Sequence, residues 1–158
     1  MELGGWRKLS GRIPPRFMNE ELAHRNMAFT LFQADEMPLM VMGEPTVEAL
    51  GDDVYRVTVD LTNDRIAPTI TVRAANNRVV RPDLLSVDGA DVVTAGWVES
   101  RFRPGPTDMI EQHDLSRIMI RNGHPGNTTR TVEYVLKGAG DATITYRSVK
   151  GGTVSKAV

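Results

Sequence analysis

Residues 55–61, YRVTVDL, decide the fold class of this chain. The apolar side chains Tyr55, Val57, Val59 and Leu61 alternate with polar ones. A period of two is typical of a strand that buries one face and leaves the other in water. One-sided burial favours antiparallel pairing, so the segment predicts an antiparallel sheet.

The same alternation continues along the chain towards the C-terminus. It predicts further strands at Ile70 and Val72, Val79-Val80, Leu85 and Val87, Val92–Val98, Ile118 and Ile120, Val132 to Leu136, and Ala142 to Tyr146. About seven or eight short strands at this spacing predict a mostly β fold, an immunoglobulin-like antiparallel β-sandwich over residues 45–158.

Turn residues separate these strands. Asp88-Gly89 predicts a hairpin, and so does Gly138-Ala139-Gly140. Asn76-Asn77 predicts another turn, and residues 122–127 predict a loop. Residues 99–114 predict a long irregular connection.

Before the strands, residues 19–36 predict one amphipathic α-helix. Asn19 is a favourable N-cap residue, and Glu20 and Glu21 place negative charge in the first turn. Met37-Pro38 ends the helix because proline disfavours the helical conformation in the residue before it. Residues 1–18 predict an extended arm, so residues 1–44 form an arm and helix in front of the sandwich.

The apolar residues of this helix cover an arc broader than one sheet requires. We therefore expect part of it to meet another domain or a second copy of the chain. The residues predicted for this interface are Trp6, Phe17, Leu22, Phe29 and Phe32.

Composition excludes several classes of function. The 19 basic and 20 acidic side chains leave a net charge of -1, which offers no general attraction for nucleic acid or an anionic membrane. No apolar run is long enough to span a bilayer, so we expect no membrane insertion. The absence of cysteine removes disulfides, thiolate catalysis and thiolate metal sites.

The usual catalytic motifs are also missing. The three histidines, His24, His113 and His124, form no His-x-x-Glu or His-Glu-x-x-His pattern. A zinc site from two loop histidines and a carboxylate is the remaining metal hypothesis. Asp52-Asp53 and the turn at residues 88–91 could supply calcium ligands, but neither has the ligand count of a dedicated loop, and turns explain both. We expect no catalytic residue, metal or cofactor in this chain.

One candidate binding patch stands near the long connection. It consists of Trp97 and the run Arg101-Phe102-Arg103. An exposed aromatic platform would favour a binding module for carbohydrate, peptide or protein. The alternative is that Trp97 packs at the edge of the core.

The N-terminal quarter resembles a known family. ELGGWRK at residues 2–8 and RIPPRFMNEELAHRNMAFTLFQADEMPLM at residues 12–40 are similar to the stretch that closes the catalytic domain of bacterial zinc carboxypeptidases. The matching residues are Glu2, Leu3, Gly4, Gly5, His24, Arg25, Asn26, Phe29, Met37 and Pro38. Some members of that family continue into a C-terminal β-sandwich.

The resemblance implies a non-catalytic accessory domain. The family's zinc ligands, catalytic glutamate and substrate-binding arginine lie upstream of the matching stretch, so zinc is expected only in an upstream catalytic domain. That domain would be the partner, a homo-oligomer is expected in isolation, and the location would be secreted or periplasmic. The alternative hypothesis is a stand-alone β-sandwich binding module.

Overall fold

The computed structural model describes Gly4, residues 14–99 and residues 105–158. It divides into two compact units, Met1–Glu36 and Met37–Val158. Strands contain 44% of the described residues and helices 20%, which confirms a mostly β fold.

The first unit contains the predicted helix, but its start differs from the prediction. A 3-10 turn at Arg16–Met18 leads directly into helix α1, Asn19–Asp35. The N-cap is therefore Met18 and not Asn19, and no side chain makes a capping bond. The physical reason is that the Met18 N–H already donates to the Pro15 carbonyl at 2.9 Å, so the chain is helical before Asn19 is reached.

The end of α1 is as predicted. The N–H of Glu36 donates to the Phe32 carbonyl at 3.0 Å, and Pro38 follows two residues later. Of the predicted arm, Gly4 and residues 14–18 are described, and the 3-10 turn replaces extended chain in part of that range.

The second unit contains two antiparallel sheets. The first sheet consists of β1 (Met40–Met42), β2 (Thr46–Gly51), β3 (Val54–Asn63), β5 (Asp91–Val98), β6 (Asp108–Met109) and β8 (Thr128–Lys137). The second consists of β4 (Asp83–Asp88), β7 (Arg117–Ile120), β9 (Thr143–Ser148) and β10 (Gly152–Ala157).

The strand order places the longest strands in the centre of the first sheet. That order is β1-β3-β8-β5-β6, with β2 also paired to β3. The order in the second sheet is β10-β9-β4-β7. Neighbours in both sheets are antiparallel, as the one-sided alternation predicts.

The alternating apolar residues form one core between the sheets. Val57 and Val59 of β3 lie opposite Tyr134 and Val132 of β8, and all four are fully or almost fully buried. The same cluster contains Leu85, Ile118, Ile144 and Tyr146 from the second sheet. Because both sheets bury their apolar faces in one cluster, the predicted β-sandwich is confirmed.

The strand predicted at Ile70 and Val72 is wrong. The chain there forms a short helix, α2, at Val72–Asn77. The Thr71 side chain caps it by accepting a hydrogen bond from the Ala74 N–H at 3.3 Å. Ile70 is buried, but Val72 is 77% exposed, so the apparent alternation does not mark one buried face.

Both predicted hairpins, at Asp88-Gly89 and Gly138–Gly140, are also wrong. The first turn joins β4 to β5 and the second joins β8 to β9, and each pair divides between the two sheets. The two connections lie together: Gly89 has a φ of 89°, and a Cβ there would lie 2.5 Å from the Asp141 carbonyl oxygen. Glycine is therefore needed at this position for a crossover between sheets.

The sheet begins before the boundary placed at residue 45. Strand β1 pairs with β3, with Met40 opposite Asn63. Because Met40 and Met42 are buried in the core, this strand is part of the sandwich and not of the helical segment.

Candidate functional site

Helix α1 leaves its apolar side chains uncovered. No residue of the helix is buried. Phe29 is 60% exposed and Phe32 52%, and Phe17 on the preceding 3-10 turn is 86% exposed. Leu22 is partly buried. Trp6, the remaining residue of the predicted interface, lies outside the described residues.

These residues occupy two sides of the helix. With 3.6 residues per turn, Leu22, Phe29 and Phe32 fall on one side because they are separated by seven and three positions. Met27 and Leu31, both more than half exposed, fall on the opposite side. Large exposed apolar patches usually mark interaction surfaces, so α1 is the first candidate site.

The second candidate site is a groove beside Trp97 with a volume of about 640 Å³. Trp97 lies on β5 and is partly buried against the core. The guanidinium carbon of Arg130 lies 4.0 Å from the centre of its ring. This cation–π contact covers one face of the indole and reduces the area that a ligand could stack on. Trp97 is therefore a rim residue.

The other members of the predicted patch, Arg101, Phe102 and Arg103, lie outside the described residues. The structure instead brings Arg130, Arg117 and His113 to the groove.

One wall of this groove is fixed by Gln112. Its side-chain oxygen accepts from the Met119 N–H at 2.9 Å, and its side-chain nitrogen donates to the Met119 carbonyl at 3.1 Å. The amide thus occupies the backbone groups that strand β7 presents at the edge of its sheet. An edge blocked in this way cannot pair with another strand at that position.

Two exposed acids line the groove, Glu111 and Asp114. The Ser116 hydroxyl donates to the Asp114 carboxylate at 2.6 Å, and this bond lowers the pKa of Asp114 below its ordinary value. A carboxylate held ionised in water suits charge pairing better than proton transfer at neutral pH.

A polar network is buried at one end of the sandwich. Thr69 and Tyr146 both donate to the Oδ2 atom of Asp83, at 2.5 and 2.6 Å, and all three residues are buried. The Oδ1 atom of Asp83 has no hydrogen-bond partner among the described residues. Because Asp83 is fully buried, we assign this network to stability.

His124 belongs to the same region. Its Nε2 lies 3.0 Å from the Leu61 carbonyl oxygen and its Nδ1 lies 3.0 Å from that of Pro125. Burial lowers the pKa of His124, and the two carbonyl groups oppose this effect. Its backbone N–H donates to the Thr69 hydroxyl at 2.6 Å, which links the loop at residues 122–127 to the network.

The three histidines differ in exposure and lie on different elements of the structure. His24 is exposed on α1, His113 is exposed beside the groove, and His124 is buried. Among the residues that the structure describes, no group of three or more histidine, aspartate or glutamate side chains is placed to hold a metal ion. Within that same part of the chain, no helix has the length and apolarity to cross a bilayer.

Sequence reasoning missed three features of these sites. Arg130 is 33 positions from Trp97, and only the pairing of β5 with β8 brings them together. The Gln112 side chain bonds to the backbone of Met119, and no sequence motif indicates this contact. The third feature is the cleft that Arg78, Arg81 and Arg121 share. Here the sequence did contain a signal, because residues 72–82 contain three arginines, two of which line the cleft, and no acid.

Comparisons with known proteins add one assignment. No curated protein and no solved structure matches the chain. A family model described as "Domain of unknown function (DUF8731)" matches residues 40–158, which begin with β1 and include every strand of both sheets. The match covers most of the chain, and the chain therefore belongs to the DUF8731 family.

Proposed function

We propose that this chain is a non-catalytic accessory domain that docks another domain through α1. Following the resemblance in residues 2–8 and 12–40, the partner is the catalytic domain of a zinc carboxypeptidase-like metallopeptidase. The sandwich then braces that domain or positions it near a substrate or the cell surface. The zinc and the catalytic glutamate belong to the partner, and the location is secreted or periplasmic.

The observation that carries this proposal is the exposure of α1. Its two sides present Leu22, Phe29 and Phe32 on one and Met27 and Leu31 on the other, and none of them is buried. Burying such side chains contributes about 1.5–3 kcal/mol each. A partner that covered one side would therefore gain several times that amount before the costs of association.

Without the partner, this surface should associate with itself. We expect the chain at micromolar concentration to form a dimer or larger assembly in sedimentation velocity and light scattering. In the double variant Phe29→Ser/Phe32→Ser, the dissociation constant of the assembly should rise at least tenfold. The reason is that each change removes more than about 1.4 kcal/mol of apolar burial.

A matched control distinguishes association through α1 from non-specific hydrophobic association. Val149 is 65% exposed on the sandwich, in the β9–β10 turn. Val149→Ser should leave the assembly unchanged. A wild-type chain that stays monomeric, with α1 protected from hydrogen exchange and proteolysis, would contradict the proposal because the helix would then be covered within its own chain.

Two further measurements test the parentage. The coding sequence upstream of Met1 should encode His-x-x-Glu in the same reading frame. A peptidase assay on the chain with and without added zinc should show no turnover. Turnover that a chelator abolishes would overturn the assignment of the chemistry to another domain.

A further inference from the structure

A cleft of about 710 Å³ lies between α2 and the loop that follows β7. Three arginines line it, Arg78, Arg81 and Arg121. The amide side chains of Asn76 and Asn122 stand beside them. Val79, Val80, Pro82 and Ala75 complete the lining. The cleft therefore combines cationic donors, neutral amides and an apolar surface.

The charge of this cleft is not neutralised. Its described lining contains no aspartate or glutamate, and none of the three arginines forms an ion pair with a described residue. The nearest acid along the chain, Asp83, is fully buried and accepts from Thr69 and Tyr146. All three guanidinium groups are on exposed residues and thus accessible to a solute.

The sheet register brings these arginines together. Strands β4 and β7 pair with Asp83 opposite Ile120. Arg81 lies just before β4 and Arg121 just after β7, so both emerge from the same end of this strand pair. Arg78 ends α2 in the left-handed conformation, with a φ of 53°, which is uncommon for a residue with a side chain.

The opposite end of the sandwich is acidic. The turns and the adjoining strand ends there carry Asp52, Asp53, Asp88, Asp91 and Asp141. They lie close together, since the Gly138 N–H donates to the Asp53 carbonyl and Gly89 approaches the Asp141 carbonyl. Charges of opposite sign at the two ends direct an anion towards the arginine cleft although the whole chain has a net charge of -1.

We propose that this cleft binds a small molecule through an oxyanion group, either a phosphate or sulfate or a carboxylate. The guanidinium group presents N–H donors in a planar fork that matches two oxygens of such a group. The amides of Asn76 and Asn122 supply further donors, and Val79 and Pro82 offer an apolar surface to the rest of the molecule. The proposal does not rest on the docking of α1, which lies in the other unit.

The test is an NMR titration of the intact chain that observes the arginine Nε–H signals. Sodium phosphate, sodium sulfate and sodium citrate are added separately through the millimolar range, with sodium chloride keeping the ionic strength constant. We expect saturable shifts at Arg78, Arg81 and Arg121 with at least one of them. Saturation by phosphate or sulfate identifies a tetrahedral oxyanion, and saturation by citrate identifies a carboxylate.

Variants then establish the site. Arg81→Gln and Arg121→Gln should each weaken binding by about tenfold, the usual effect of losing a hydrogen bond to a charged group. Arg81→Lys should also weaken it, because lysine keeps the charge but lacks the fork. Lys137→Gln is the matched control: it removes one positive charge at the acidic end and should leave binding unchanged.

Three results would overturn the proposal. They are shifts that never saturate with any of the three anions, equal shifts at Arg147 and Arg56, and equal loss of binding in the Lys137→Gln control. A dispersed spectrum for each variant shows that it is folded, so that a loss of binding reports on the cleft.

Discussion

Tyr146 and Tyr134 form a matched pair for testing the buried polar network. Both are fully buried, and burial raises the pKa of each well above its ordinary value. They differ in their hydroxyl groups. Tyr146 donates to the Oδ2 atom of Asp83 at 2.6 Å, whereas the hydroxyl of Tyr134 has no hydrogen-bond partner among the described residues.

Replacing each tyrosine by phenylalanine removes one hydroxyl and leaves the ring in the core. Tyr146→Phe removes a bond to a carboxylate, so we expect a loss of about 1.5–3 kcal/mol in the free energy of unfolding. For a chain of this length, that corresponds to a melting temperature lower by roughly 3–12 °C. Tyr134→Phe removes a buried hydroxyl that gives up its hydrogen bonds to water on folding and makes none with the described residues. The free energy of unfolding should therefore stay the same or rise by up to about 1 kcal/mol.

Urea unfolding followed by circular dichroism measures both differences, with equal slopes as the check on two-state behaviour. A double-mutant cycle of Tyr146→Phe with Asp83→Asn should give a coupling energy above about 0.5 kcal/mol. Equal losses in the two phenylalanine variants would refute the reasoning, because the cost would then come from the packing of the ring and not from the hydrogen bond.

Three other predictions use the same unfolding assay. Burial lowers the pKa of His124 below its ordinary 6.5, so near and below that pH the unfolded chain binds more protons than the folded chain. The free energy of unfolding should therefore fall as the pH drops below about 6.5, by at most about 1.4 kcal/mol per pH unit. His124→Asn should flatten this pH dependence. Gly89→Ala should cost more than about 3 kcal/mol, since it combines a positive φ with a clash, whereas Gly51→Ala, with a positive φ and open space, should cost about 1 kcal/mol. Gln112→Ala frees the backbone groups of Met119 and should cost about 1 kcal/mol and increase aggregation on storage, as measured by light scattering. An unchanged pH profile, equal costs for the two glycines, or an equally soluble Gln112 variant would each contradict the corresponding argument.

The candidate sites could be predicted only in part. The sequence identified the apolar residues of the helix and the tryptophan as candidates, because residue type is read directly from the sequence. It placed Trp97 either in a binding patch or at the edge of the core. The structure shows Trp97 partly buried against the core with Arg130 over its ring, and the binding patch stays a prediction. The arginine cleft was missed because Arg121 is far along the chain from Arg78 and Arg81 and approaches them only through the pairing of β4 with β7.

Alternation determined the faces of the strands from sequence alone. In residues 57–61, and again at Ile144 and Tyr146, the alternating apolar positions became the buried ones. The reason is local: successive side chains of a strand point to opposite faces, so the pattern is fixed by each residue's own neighbours. Asp88-Gly89 shows where this local information ends. A turn residue indicates that the chain reverses direction, but it does not indicate whether the next strand joins the same sheet or the facing one. That choice depended on the apolar faces of all the strands at once, and only the tertiary structure decided it.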